Sequence, residues 1–163
     1  MQAHELLNDE QRSAIVRTML DCCTAYREYD ELARDLFYEP YAHRRKRQSL
    51  TLAMLSSFAP GRFNVEGIEV ASIEYGIGMM QPELRTGNAV LHIKSHTARS
   101  DTNDVKENCR RHNADLDEPP VFGQIVFTAS AGGAVEQVQV VLYDAKVSTI
   151  DYDVFRIPTE YRR

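Results

Sequence analysis

"AVEQVQVVLYDAKVSTIDYDVF", residues 134–155, is the stretch on which the fold turns. Val138, Val140 and Leu142 alternate with Gln137 and Gln139, the period of a strand with one buried face. "DAK" at 144–146 turns the chain. Ile150, Tyr152 and Val154 then alternate with Asp151 and Asp153, so the apolar three are expected to face in and the two carboxylates out. Upstream, 121–129 reads as another strand, joined to the first by the glycine turn "AGG". Strands at about 121–129, 135–143 and 147–156, linked by short turns, make an antiparallel meander.

Working back, "DEPP" at 117–120 is a loop, and Ser100 or Asp101 caps a short polar helix whose one apolar line is Val105 and Cys109. "AVLHIKSH" at 89–96 is a strand, preceded by the turn "TGN" at 86–88. "EVASIEYGIG" at 69–78 alternates likewise, after a tight Glu66–Gly67 turn. Before "APG" at 59–61 the period changes to that of a helix. Asn8 with Gln11 forms a capping box, and Ile15, Met19, Cys22 and Tyr26 recur at helical spacing, widened by Val16, Leu20 and Cys23. Tyr29, Leu32, Ala33 and Leu36 continue the apolar face to a break at Pro40. A second helix is expected over Tyr41–Ser57, with Leu50, Met54 and Phe58 as its buried line.

The expectation is one α+β domain over 1–163: a helical region, 1–59, packed on a β-rich region, 60–163, with a mainly antiparallel sheet of about five strands and one short inserted helix. Composition agrees. The chain of 163 residues is 43% hydrophobic and 26% charged, ordinary for a folded domain. The first residues lack the pattern of a signal peptide, and no run of apolar residues is long enough to span a bilayer. Three cysteines, two of them adjacent, make neither a disulfide framework nor a metal knuckle. Reduced thiols in a cytoplasmic protein is the economical reading.

The formal net charge is −5, so no general field attracts phosphate backbones. A nucleic-acid or anion contact would need a local patch, and Arg44, Arg45, Lys46 and Arg47 form one. Four consecutive helical residues turn through roughly 300°, so they cannot all line one groove. The acidic run upstream, including Glu31, Asp35 and Glu39, offers them partners within the chain.

"VLHIKSHT" at 90–97 carries a second polar feature. His92, Lys94 and His96 share one face of their strand, and Leu91 and Ile93 the other. If this strand pairs with the one before it, Glu74 approaches the stripe. Two imidazoles, an ammonium and a carboxylate could move protons or bind an anion or a metal; they equally suit a solvated strand face. The order helix, strands, helix, strand resembles the core of the PD-(D/E)xK nucleases. That resemblance implies a divalent metal held by an acid on one strand and an acid-x-Lys on the next. Lys94 suits the lysine, and Glu74 or Glu83 the first acid; His92 stands where the family has its second acid, and no Pro-Asp pair precedes it.

"GIGMMQ" lacks the remaining glycine and lysine of a phosphate loop, and Cys109-Arg110-Arg111-His112 has the spacing of a polar helix surface rather than of a nucleophile with its base. The reading adopted is therefore a small cytoplasmic regulatory or interaction protein, with no cofactor, no metal and no catalysis of its own. Its expected partner is a protein, a second copy included, met through the apolar stripe Ile15, Met19, Tyr26, Leu36 and Phe37; no membrane contact is expected. The alternative is a metal-dependent nuclease-like or nucleic-acid-binding protein centred on Glu74, His92, Lys94 and His96.

Overall fold

The computed structural model describes residues 1–33, 41–75, 79–95, 102–113, 116–130, 134–144, 146 and 149–158. After a 3-10 turn at Ala3–Glu5 come α1 (Asp9–Ala33) and α2 (Tyr41–Ser57), then β1 (Glu69–Tyr75), β2 (Met79–Arg85), β3 (Ala89–Ser95), α3 (Thr102–His112), β4 (Val121–Ala129), β5 (Val135–Tyr143) and β6 (Thr149–Val154). The strands form one sheet in chain order, β1-β2-β3-β4-β5-β6. Every neighbouring pair is antiparallel except β3 and β4, which are parallel. A parallel pair needs a crossover, and α3 supplies it. The α+β class holds, with six strands rather than five.

The additional strand is β2, "MMQPELR". It lacks alternation and contains Pro82, both of which argue against a strand inside a sheet. The ladder shows how it is accommodated. β2 pairs with β1 along its whole length, but with β3 over Glu83–Arg85 alone. Pairing with β3 stops at Pro82, which has no N–H to give.

The capping box at the start of α1 is formed: Asn8 Oδ1 accepts the Gln11 N–H at 2.9 Å and Gln11 Oε1 accepts the Asn8 N–H at 3.0 Å. The Gln11 amide also donates to the Glu66 carbonyl at 3.2 Å, beside the turn closed by the Val65–Ile68 bridge. Gly67 sits there at φ +79°, and a Cβ would meet the Gln11 amide at 2.8 Å. The positive φ favours glycine at that position, and a side chain there would also displace the Gln11 amide.

One face of the sheet is the main core. Ile15, Val16, Met19 and Leu20 of α1 and Met54 of α2, with Phe58 just beyond it, pack with Leu84, Leu91, Ile93, Ile125, Phe127, Val138, Val140 and Leu142. Cys22, Cys23 and Cys109 are buried free thiols. On the opposite face a smaller cluster, Val90, Phe122 and Cys109, lies under α3 with Tyr143 against it. β3 and β4 are therefore buried on both faces through most of their length.

The alternation in β6 has the opposite sense to that expected. Ile150, Tyr152 and Val154 are exposed, and Asp151 and Asp153 point to the side of the main core. The N-terminal segment explains the inversion. The Ala3 N–H donates to Asp151 Oδ2 at 2.8 Å, and Arg12 forms an ion pair with Asp153. Arg12 also lies over the Phe155 ring, 5.4 Å from its centroid, and donates to the Leu7 carbonyl at 3.0 Å. Two charge-assisted contacts at the rim of the core outweigh the burial of three apolar side chains on an edge strand.

Candidate functional site

The hairpin around "TGN" brings the polar residues of β2 and β3 together. Thr86 Oγ1 accepts the N–H groups of Asn88 and Ala89 at 3.0 and 2.9 Å, and the Thr86 N–H donates to the Ala89 carbonyl at 2.8 Å. Counting outward, Arg85 faces Val90, Leu84 faces Leu91 and Glu83 faces His92. His92 Nε2 lies 2.9 Å from Glu83 Oε2, and Arg85 Nε donates to Glu83 Oε1 at 2.7 Å. His92 is 0% exposed, with its ring edge-on to Phe122 at a centroid distance of 5.0 Å.

Burial pushes the Glu83 carboxyl up, but the hydrogen bonds and charges of His92 and Arg85 outweigh it and hold the group below the ordinary carboxylate range. An ionised carboxylate accepts only, so His92 Nε2 carries the proton between them. His112, at the end of α3, looks onto the same pair. Its imidazole is pushed down by burial and then by Arg111; Glu83 opposes this and His92 adds to it. Gln124 on β4 is in register with His92 and is buried, as is Gln81 on β2. The face of the sheet beside α3 thus sets buried polar side chains beside the apolar cluster of Val90, Phe122 and Cys109.

Of the polar stripe that the sequence singles out, His92 is fully buried, and its acid partner is Glu83. Glu74 is exposed on β1 opposite Met80, with β2 between it and β3, so the pairing on which its approach depended does not occur. Lys94 is half-buried, in register with Val126. His96, Leu36 and Phe37 lie outside the described residues. So do Asp35 and Glu39, and the side chains of Arg44, Arg45, Lys46 and Arg47, whose backbone forms the first turns of α2. Ile15 and Met19 are buried in the main core, and Tyr26 is buried as well. Among the described residues, no group of three His, Cys, Asp or Glu side chains is placed to hold a metal ion, and no helix is long and apolar enough to cross a membrane.

Two features escape the sequence reading. Asn113 ends α3 and fastens it to the sheet. Its Oδ1 accepts the Phe122 N–H at 2.7 Å, and its amide donates to the Phe122 carbonyl at 3.2 Å and to the Tyr143 carbonyl. An asparagine after a polar helix signals a helix end, but nothing local reports a tie to strands 9 and 30 residues onward. The other feature is the outer face of β6. Ile150, Tyr152 and Val154 are 46%, 60% and 46% exposed, on a strand with β5 on one side and no described strand on the other.

Comparison with protein-family models, with curated proteins and with solved structures finds no match to this chain.

Proposed function

We propose that this chain is a small regulatory or interaction protein that binds a protein partner through the β6 edge and has no chemistry of its own. The observation that carries the reading is the exposed row Ile150-Tyr152-Val154 on an edge strand, where side chains so apolar are normally blunted by charge, by proline or by a covering element. The polar interior supports the same reading from the other side. Glu83 is neutralised by His92 and Arg85 within the protein, as expected of a buried ion pair that sets packing. Three buried free thiols suit a reducing cytoplasm, which belongs to the proposal.

The test is affinity capture from the native host with nuclease-treated extract, comparing the wild type with Ile150→Thr/Tyr152→Thr. A protein retained by the wild type and lost from the variant supports the reading. Equal capture by both, or capture that disappears with nuclease, argues against it.

A second reading is favoured by one observation. Glu83 on β2 lies beside His92-x-Lys94 on β3, the juxtaposition that the nuclease resemblance requires, with Glu83 rather than Glu74 as the acid. Incubation with plasmid, single-stranded DNA and RNA in magnesium or manganese decides. Cleavage lost in both Lys94→Ala and Glu83→Gln would establish the nuclease reading; intact substrates leave the interaction reading standing.

A further inference from the structure

We infer that the α3 side of the sheet binds a phosphate-class oxyanion through the side-chain amides of Gln81 and Gln124, which flank Lys94. The inference goes beyond the interaction reading and does not involve the β6 edge. Three observations carry it. Gln81 and Gln124 are 4% and 2% exposed, and the Nε2 of each is buried with no hydrogen-bond acceptor among the described residues. Buried donors are paired in the great majority of cases, so two of them on one face call for an acceptor.

Register places the two amides on one side of the sheet. Gln81 and Glu83 alternate with Leu84 of the main core, so both take the α3 side of β2. Gln124 on β4 stands opposite His92, which shares its side of β3 with Lys94. The amides therefore lie one strand to each side of Lys94. β2 stops pairing with β3 at Pro82, whereas it stays paired with β1 as far as Met79. The ladder thus opens between Gln81 and Lys94, and Lys94 is half-buried there.

The chemistry on offer is that of donors. Both oxygens of Glu83 already accept from Arg85 and His92, and the Arg85 guanidinium balances the carboxylate's charge. Lys94 adds a cation to the two amide N–H groups. A species with several acceptor oxygens and negative charge answers this set, and phosphate and its monoesters share that chemistry. A metal ion does not, because amide N–H groups and an ammonium present it with positive charge.

The experiment measures the melting temperature of the full chain in EDTA at fixed ionic strength, with chloride, inorganic phosphate or a nucleoside monophosphate. Wild type should melt about 5 °C higher at a roughly hundredfold excess of phosphate over its Kd than in chloride. An equal rise with both phosphates identifies free phosphate as the ligand, and a larger rise with the nucleotide identifies a monoester. The double variant Gln81→Met/Gln124→Met should lose the rise. In chloride it should melt no lower than wild type, because an unpaired buried amide is exchanged for an apolar side chain of similar size. Lys94→Met should diminish the rise. A wild type that responds to neither phosphate overturns the inference, and so does a rise that persists in the double variant. A double variant that melts lower in chloride, or does not fold, overturns it too, since the amides would then hold the fold through partners of their own. None of these outcomes bears on the β6 edge, which the capture experiment tests separately, and EDTA keeps the result apart from metal-dependent cleavage.

Discussion

Over β3 and β4 the two faces of this sheet are both covered, by different means. Under α1 and α2 the covering is hydrophobic, with Ile15, Met19, Met54 and Phe58 fully buried against strand residues of the same character. Under and beside α3 the strands contribute Glu83, His92, Gln81 and Gln124, and the helix is held by Asn113. The first face depends on area removed from water, and the second on a few specific hydrogen bonds, those of Glu83 with His92 and Arg85 and those of Asn113 with β4 and β5. An apolar face tolerates loss by partial collapse. A polar one is all-or-none, since removing one member strands another.

That contrast can be broken directly. Phe58→Ala should cost about 3–5 kcal/mol, since a fully buried ring also contacting Phe63 leaves a cavity that no second substitution relieves. His92→Leu alone should cost about 3 kcal/mol by stranding a buried carboxylate, with Arg85 as its remaining partner. Glu83→Met alone should cost about 1–3 kcal/mol by stranding the imidazole. Together, Glu83→Met and His92→Leu should recover most of the loss, because a packed apolar pair of similar volume replaces a buried ion pair nearly neutrally. Denaturant unfolding of the four proteins measures this coupling. Losses that simply add would show that the two faces are held by the same means.

Asn113 sharpens the comparison at the next magnitude. Asn113→Ala removes three hydrogen bonds to β4 and β5 while deleting little apolar area, and should cost about 2 kcal/mol. Hydrogen exchange separates it from a core substitution. Amides of α3 should lose protection while those of α1 keep theirs, whereas Phe58→Ala should weaken both. Equal loss of protection in α1 would mean that α3 is not a separate cooperative attachment.

What was legible in the sequence follows the same division. α1, α2, the capping box, the Glu66–Gly67 turn and the strands from β3 to β5 all announce themselves through local periodicity or local turn and cap chemistry. β2 did not, since Pro82 and the absence of alternation reflect a strand that leaves β3 after three residue pairs. The Glu83–His92 pair lies one residue away from that reading: "TGN" as a three-residue turn opposes Glu83 to Leu91, whereas the turn is Gly87–Asn88, closed by the Thr86 N–H on the Ala89 carbonyl, and this opposes Glu83 to His92. The polar stripe was read as a site or a wet face, and His92 is fully buried instead, because α3 covers that side and polar no longer means exposed. β6 inverts for a reason no local pattern contains. Alternating Asp and apolar residues fit either sense, and the choice is made by Ala3 and Arg12, about 140 residues away in the chain.

The smallest expected effect lies in the pH dependence of the polar face, and it separates two groups by sign and window. The His112 imidazole is held below its ordinary 6.5, by burial first and Arg111 next. As pH falls below 6.5 the unfolded chain takes up that proton before the folded one, so the folded state loses stability from there down to the folded pKa. Glu83 is also depressed, but as an acid. Its contribution is complete above the ordinary carboxylate range and disappears as pH falls through its lowered value, because the unfolded chain again protonates first. Melting temperature should therefore decline in two stages on acidification. His112→Gln should flatten the first, which sets in as pH falls through 6.5, and Glu83→Gln the second, which sets in as pH falls through 4.5. Other carboxylates contribute to the absolute curve, so the quantity to read is the difference between variant and wild type. The two differences should occupy separate pH windows. If His112→Gln leaves the slope near pH 6 untouched, His112 titrates as a surface group and the polar face ends at Glu83.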